Sequence, residues 1–226
     1  MGASQSKHVK FAVDTAGTVS ALLQDPKGAR ACYVLAHGAG TGMEHPFLAA
    51  IAAGLYARGI ASLRYQFPYM EAASKRPDSP KLAQATVRAA IAEATRLLPG
   101  LPLLAGGKSF GGRMTSQAQA AAPLSGVRGL AFLGFPLHAA GRPSRDRGHH
   151  LFDVHVPMLF LQGTRDALAD LGELEPLCSQ LGRRASLKLF AGADHSFHVL
   201  AKSGRTDVQV RSEMLDAFVA WTQSLV

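Results

Sequence analysis

Short apolar runs alternate along the chain with segments in which apolar residues recur every three or four positions. The run at 31–36, ACYVLA, is continuously apolar, as is typical of a strand buried on both faces of a parallel sheet. The six predicted strands of this succession are residues 31–36, 60–64, 101–105, 127–133, 156–161 and 185–190. The helical spacing predicts helices at residues 44–58, 80–98, 110–122 and 168–181, and a last helix with Val210, Met214, Phe218 and Trp221 on one face.

Two further short segments, residues 9–13 and 18–23, precede this succession and suit an antiparallel pair at a sheet edge. The order of the elements predicts a single α/β domain over residues 1–226. Its central sheet has about seven to eight mostly parallel strands, with helices on both faces. In such sheets ligands bind beyond the carboxyl ends of the strands.

Composition supports a globular protein, because 47% of the 226 residues are hydrophobic and 18% are charged. The chain contains no apolar run long enough to span a bilayer and no signal-peptide pattern, so we expect a cytoplasmic protein. Met1-Gly2 with Ser6 fits the short N-myristoylation pattern, which is a weak signal. Cys32 and Cys178 are too few for a disulfide framework and are predicted to be core residues.

A net charge of +8 and a pI near 9.9 raise the question of a nucleic-acid partner. Lysines and arginines are scattered, however, without a long basic tract and without interleaved aromatic residues for base stacking. We therefore interpret the charge as a solvated surface and expect neither a nucleic-acid nor a membrane partner.

The stretch at 103–114, LLAGGKSFGGRM, fits two different motifs. Its GKS matches the end of a phosphate-binding P-loop, and its GKSFG matches a complete G-x-S-x-G. A phosphate-binding P-loop needs a glycine five residues before Gly107, where the chain has Pro102. The alternative, G-x-S-x-G, is the nucleophile elbow of a serine hydrolase and makes Ser109 the nucleophile. The elbow needs small neighbours for its strained turn. The glycines that give this room are Gly107, Gly111 and Gly112.

A serine nucleophile requires a base and a group that orients the base. His195 lies in the loop after the last predicted strand, and Asp166 follows the strand before it, which gives the chain order Ser, Asp, His. The alternatives to Asp166 are three nearby carboxylates, of which Asp170 is interpreted as a helix-start residue. The other two are Asp153 and Asp194.

An acyl-transfer site also needs backbone N–H groups that bind the developing oxyanion. We predict these donors to be Phe110, which follows the nucleophile, and Ala39 in the loop at 37–40, HGAG. His37 is interpreted as a side chain that organises this loop, in preference to a second base or a metal ligand. This chemistry requires neither a metal ion nor an organic cofactor.

The segments HGAG, GKSFGG, GTRDAL and GADHSFH, in this order, resemble the α/β-hydrolase family. The chain is most similar to its small, lid-less dienelactone-hydrolase-like branch and to the hydrolase-like domain of nonspecific-lethal complex subunit 3. The resemblance implies a serine hydrolase that cleaves an ester, thioester or related acyl bond, with Ser109, Asp166 and His195 as the triad. A noncatalytic interaction module is the alternative, since this fold hosts many functions.

Several features bear on the substrate, which we expect to be a small acyl compound. Dienelactone hydrolases use a cysteine nucleophile where this chain has Ser109, and the irregular segment 135–153 is too short for a helical lid. Lys108 and Arg113 flank the elbow and either favour an anionic substrate or face solvent or a carboxylate. The loop side chains that either line an acyl pocket or pack in ordinary loops are Met43, Phe67, Tyr69, Met70, Phe135 and Leu137.

Overall fold

The described residues form one sheet of eight strands in the order β1-β2-β4-β3-β5-β6-β7-β8. The computed structural model describes residues 6–14 and 16–226, so the Gly2 motif lies outside the described residues. The strands are β1 (Lys7–Val13), β2 (Gly17–Gln24), β3 (Cys32–Ala36), β4 (Ala61–Tyr65), β5 (Leu103–Lys108), β6 (Val127–Leu133), β7 (Met158–Gly163) and β8 (Ala185–Phe190).

Strands β3 to β8 run parallel to one another, whereas β1 pairs antiparallel with β2 and β2 pairs antiparallel with β4. The prediction of a mostly parallel sheet with an antiparallel pair at one edge is therefore confirmed. All five residues of β3 and of β4 are buried, as expected for strands covered on both faces.

Helices cover both faces of the sheet. They are α1 (Pro46–Tyr56), α2 (Pro68–Glu71), α3 (Pro80–Leu97), α4 (Phe110–Ala121), α5 (Leu171–Leu181) and α6 (Asp207–Thr222). Apolar side chains of α1 and α6 form a core with one face of the sheet, and those of α3, α4 and α5 form a larger core with the other. Cys32 and Cys178 are both free and buried, in agreement with their prediction as core residues.

The main departures from the predicted elements lie near the carboxyl edge of the sheet. Strand β5 continues to Lys108 instead of ending at Ala105, because its last residues stay in register with β6. The aromatic loop after β4 contains the short helix α2. Between β6 and β7 the chain forms the 3-10 helix Asp146–Asp153 and no cap domain, as predicted. Within the described residues, no helix is both long and apolar enough to cross a membrane.

Candidate active site

Ser109 occupies the sharp turn between β5 and α4, with φ 51° and ψ −116°. This left-handed backbone is strained for a residue with a side chain and is the kind of conformation found at functional sites. A Cβ on Gly107 would lie 2.3 Å from the carbonyl oxygen of Ala36, and one on Gly111 would lie 2.5 Å from that of His37. The glycines of the motif are therefore required by close backbone contacts on both sides of Ser109.

Ser109, His195 and Asp166 are joined by hydrogen bonds although they come from three separate loops. Ser109 Oγ lies 2.9 Å from His195 Nε2, and His195 Nδ1 lies 2.6 Å from Asp166 Oδ2. The Asp166 carboxylate is buried, whereas the imidazole remains partly exposed beside the serine. The three side chains that sequence order suggested thus form one continuous chain of contacts.

The Asp166 carboxylate is oriented by two further donors. The N–H of Leu168 donates to Oδ1 at 2.8 Å, and the side-chain amide of Gln162 donates to Oδ2 at 2.5 Å. Gln162 is fully buried at the end of β7 and also accepts the N–H of Phe135 at 2.9 Å. No sequence motif identifies Gln162, and the available signal is a polar residue near the end of an otherwise apolar strand.

The rival carboxylates lie in other structural settings. Asp170 caps α5 by accepting the N–H of Gly172, which confirms its interpretation as a helix-start residue. Asp194 Oδ1 accepts the N–H groups of Ser196 and His198 and so shapes the turn around His195. Asp153 ends the 3-10 helix between β6 and β7.

The loop at 37–40 faces the elbow and is held by aromatic neighbours. His37 Nδ1 donates to Gly38 O at 2.7 Å, and its Nε2 accepts the N–H of Phe67 at 3.1 Å. This arrangement agrees with the loop-organising interpretation of His37. Burial disfavours the charged imidazole and lowers its pKa to about 4. The hydroxyl of Tyr69 accepts the N–H of Gly40 at 2.8 Å.

The amides of Ala39 and Phe110 are available near the serine. Phe110 is the first residue of α4, where a helix leaves its N–H groups without intrahelical acceptors. Among the described residues, neither this N–H nor that of Ala39 donates to a backbone or side-chain acceptor. Ala39 also lines the cavity beside Ser109.

A cavity of about 390 Å³ opens against Ser109 and His195. Its apolar wall consists of Phe47 and Leu48 from the start of α1 and Leu168 from the loop after β7. Its remaining lining residues are Gly38, Ala39, Thr41, His45, Lys108 and Ser196.

The six loop residues suggested as a pocket lining lie elsewhere. None of them borders the cavity beside Ser109; five are buried and Met70 is half-buried. Phe67 and Tyr69 pack against His37 and so support the loop from behind. The burial of five of these side chains agrees with the other interpretation given for them, ordinary packing within the loops. The residues concerned are Met43, Phe67, Tyr69, Met70, Phe135 and Leu137.

The two cations that flank the elbow have different surroundings. Lys108 borders the cavity, and its ammonium donates to the main-chain oxygen of His195 at 2.6 Å. Arg113 lies outside the cavity lining and has a buried Nε without a hydrogen-bond partner. Burial, together with the charge of nearby Arg147, lowers the pKa of Arg113. Neither cation forms an ion pair with a carboxylate among the residues described.

Comparison with known families places this geometry in context. Residues 29–223 match the model of the alpha/beta hydrolase domain family. The chain belongs to the alpha/beta hydrolase family. The match extends from just before β3 to just past the end of α6, so it includes every strand and loop that contributes to the candidate site.

Solved structures resemble this alpha/beta hydrolase over nearly its whole length. An α/β serine hydrolase without lid from Xanthomonas campestris is 20% identical, with a TM-score of 0.75 over 98% of this chain and 97% of that chain. A dienelactone hydrolase from Anabaena variabilis is 19% identical, with a TM-score of 0.76 over 96% and 97%. The esterase domain of a Rhodothermus marinus protein is 16% identical, with a TM-score of 0.74 over 97% and 98%. These likenesses establish a lid-less α/β-hydrolase fold.

Proposed function

We propose that this alpha/beta hydrolase is a serine hydrolase that cleaves an ester, thioester or related acyl bond through an acyl-enzyme intermediate. The observation that carries the proposal is the unbroken hydrogen-bond chain from Asp166 through His195 to Ser109, which lies at the wall of an open cavity. A nucleophile, a base and a group that orients the base are the parts that acyl transfer by serine requires.

In the proposed reaction, His195 Nε2 accepts the Ser109 hydroxyl proton as Oγ attacks the acyl carbon. Asp166 accepts the Nδ1–H of the imidazole, which fixes its tautomer and stabilises the imidazolium that forms. The N–H groups of Ala39 and Phe110 bind the oxyanion of the tetrahedral intermediate. His195 then protonates the leaving group, and a water molecule activated by the same imidazole releases the acyl group from Ser109.

The cavity supports a small acyl substrate. Its volume of about 390 Å³ lies near the lower end of small-molecule sites, which span roughly 300–1,000 Å³. Phe47, Leu48 and Leu168 provide an apolar surface for a short acyl chain or an apolar leaving group. Since no cap domain covers the edge of the sheet, long substrates would leave most of their apolar surface in water.

A fluorophosphonate probe, which phosphonylates activated serines, tests the proposal directly. We expect labelling of the wild-type protein and of Ser196→Ala, which removes the other serine of the same cavity, but not of Ser109→Ala. Hydrolysis of p-nitrophenyl acetate should fall roughly 10³-fold or more in Ser109→Ala. A wild-type protein that is folded by circular dichroism yet remains unlabelled and inactive would refute the proposal.

A series of p-nitrophenyl esters tests the substrate class. We expect kcat/KM to be higher for acetate and butyrate than for dodecanoate, because the cavity accommodates only a short chain. The noncatalytic interaction module is favoured instead if Ser109 proves unreactive while a stable partner protein co-purifies with the chain at defined stoichiometry.

A further inference from the structure

Lys108 connects the nucleophile elbow with the loop that carries His195. It is the last residue of β5 and directly precedes Ser109. Its ammonium donates to the main-chain oxygen of His195 at 2.6 Å, across 87 positions of sequence. The side chain thus bridges the two segments whose relative position determines the distance between Ser109 Oγ and His195 Nε2.

The surroundings of the ammonium favour this contact over anion binding. Phe197, two residues after His195, presents its ring with the centroid 5.8 Å from Nζ. The carboxylates of Asp166 and Asp194 attract the charge without forming an ion pair with it. Burial nevertheless dominates and lowers the pKa of Lys108 to about 8. Desolvation of a cation destabilises the fold unless hydrogen bonds compensate for it, and the hydrogen bond found for this ammonium is the one to the His195 carbonyl.

Gly134 shows that the space around this contact is tightly filled. A Cβ on Gly134 would lie 3.1 Å from Lys108 Nζ and 3.4 Å from both Nδ1 and the main-chain oxygen of His195. A side chain at 134 would therefore displace the lysine ammonium and come into contact with His195. The φ of Gly134, 73°, adds strain for a residue with a side chain.

We propose that Lys108 is a positioning residue that holds the His195 loop in register with Ser109 through its hydrogen bond to the His195 carbonyl. The inference rests on the proposed serine hydrolase function. It assigns Lys108 to the geometry of the base and not to the recognition of a negatively charged substrate. The loop needs such support because His195 is partly exposed and lies in a turn that includes Phe197 at a φ of 62°.

Lys108→Met removes the donor while keeping an unbranched side chain. We expect kcat for p-nitrophenyl acetate to fall about 10- to 100-fold, since a small misplacement of a catalytic group has effects of this size, with KM changed less than about threefold. The same fall in kcat is expected for the p-nitrophenyl monoester of succinate, a substrate that carries a carboxylate. Lys108→Arg, which retains a donor, should recover part of kcat.

Arg113→Met is the matched control, because it removes the other cation near the elbow without a contact to His195. It should retain the wild-type kcat. The folded state of Lys108→Met should be about as stable to urea as that of the wild type, because removing a half-buried, partly desolvated charge offsets the loss of its hydrogen bond. A merely structural lysine would instead lower stability and activity together.

If the fluorophosphonate probe labels the wild-type protein at Ser109, either of two results overturns the positioning role of Lys108. One is an unchanged kcat in folded Lys108→Met, and the other is a rise in KM confined to the succinate monoester. If Lys108→Met does not fold, Gly134→Ala is the test variant, because its methyl group displaces the Lys108 ammonium while the lysine is retained. An unchanged kcat in Gly134→Ala refutes the positioning role. Absence of labelling in the wild type refutes the proposed function itself, so the two failures are distinguishable.

Discussion

His37 makes the stability of the protein depend on pH in a way that one substitution can isolate. Its imidazole is fully buried and neutral, with Nδ1–H donated to Gly38 O and Nε2 accepting the N–H of Phe67. Protonation at Nε2 would remove the acceptor and place a charge in an apolar site. His37→Gln keeps an amide that can accept from Phe67 but does not titrate, so the variant separates the charge effect from the loss of shape.

The magnitude follows from the two pKa values. His37 titrates at its ordinary value of 6.5 in the unfolded chain and at about 4 in the folded protein. Between these values the unfolded chain binds a proton that the folded protein does not, so the free energy of unfolding decreases as pH falls. Acidification from about pH 8 to pH 5 should therefore remove roughly 2 kcal/mol through His37 alone. His150, whose pKa is also about 4, acts in the same direction in both proteins and cancels in the comparison.

Urea denaturation followed by fluorescence of Trp221, the single tryptophan, measures this effect. At pH 8, His37→Gln should be less stable than the wild type by about 1–3 kcal/mol, because its hydrogen bonds are imperfect. At pH 5 the difference should be smaller by roughly 2 kcal/mol. A difference that stays constant between the two pH values would show that His37 is not held neutral, and the reasoning from its burial would be wrong.

Two further substitutions address groups that support the candidate site. Tyr69→Phe removes the acceptor for the N–H of Gly40. It should lower the free energy of unfolding by about 1 kcal/mol and kcat for p-nitrophenyl acetate by about tenfold. Unchanged values in both assays would contradict the role given to this hydroxyl. Gln162→Leu leaves the N–H of Phe135 without its acceptor and Asp166 without one donor. It should lower the free energy of unfolding by about 1–3 kcal/mol and slow fluorophosphonate labelling. Labelling of the folded variant at the wild-type rate would contradict a positioning role for Gln162.

The fold was largely predictable because its signals are local. Apolar runs identified the parallel strands, and Ser79 with Pro80 identified the start of α3, where the serine side chain accepts the N–H of Leu82. The end of β5 was misplaced, since glycines usually indicate a turn. Here Gly106 and Gly107 remain in the ladder with β6, and a Cβ on Gly106 would lie 1.9 Å from the carbonyl oxygen of Ala131.

The site was only partly predictable from the sequence. The order and strand-end positions of Ser109, Asp166 and His195 bring them to one edge of the sheet, and their contacts are as expected from that order. Their catalytic roles remain predictions. The pocket wall could not be predicted, because Phe47 and Leu168 approach each other only through the packing of α1 and the β7–α5 loop. In the aromatic loop, the candidate lining residues Phe67 and Tyr69 are buried and Met70 is half-buried.

The glycines of the elbow explain why the motif was more informative than the pocket residues. Strands β3 and β5 are parallel neighbours with Ala36 opposite Gly107, so the loop that contains Ala39 and the turn that contains Ser109 leave the sheet side by side. A side chain on Gly111 would collide with the His37 carbonyl and push α4 away from that loop. The same glycines that permit the turn therefore also set the separation of the two proposed oxyanion donors. Backbone packing, which a local motif can encode, thus positions the candidate catalytic groups, whereas the cavity walls depend on elements that are distant in the sequence.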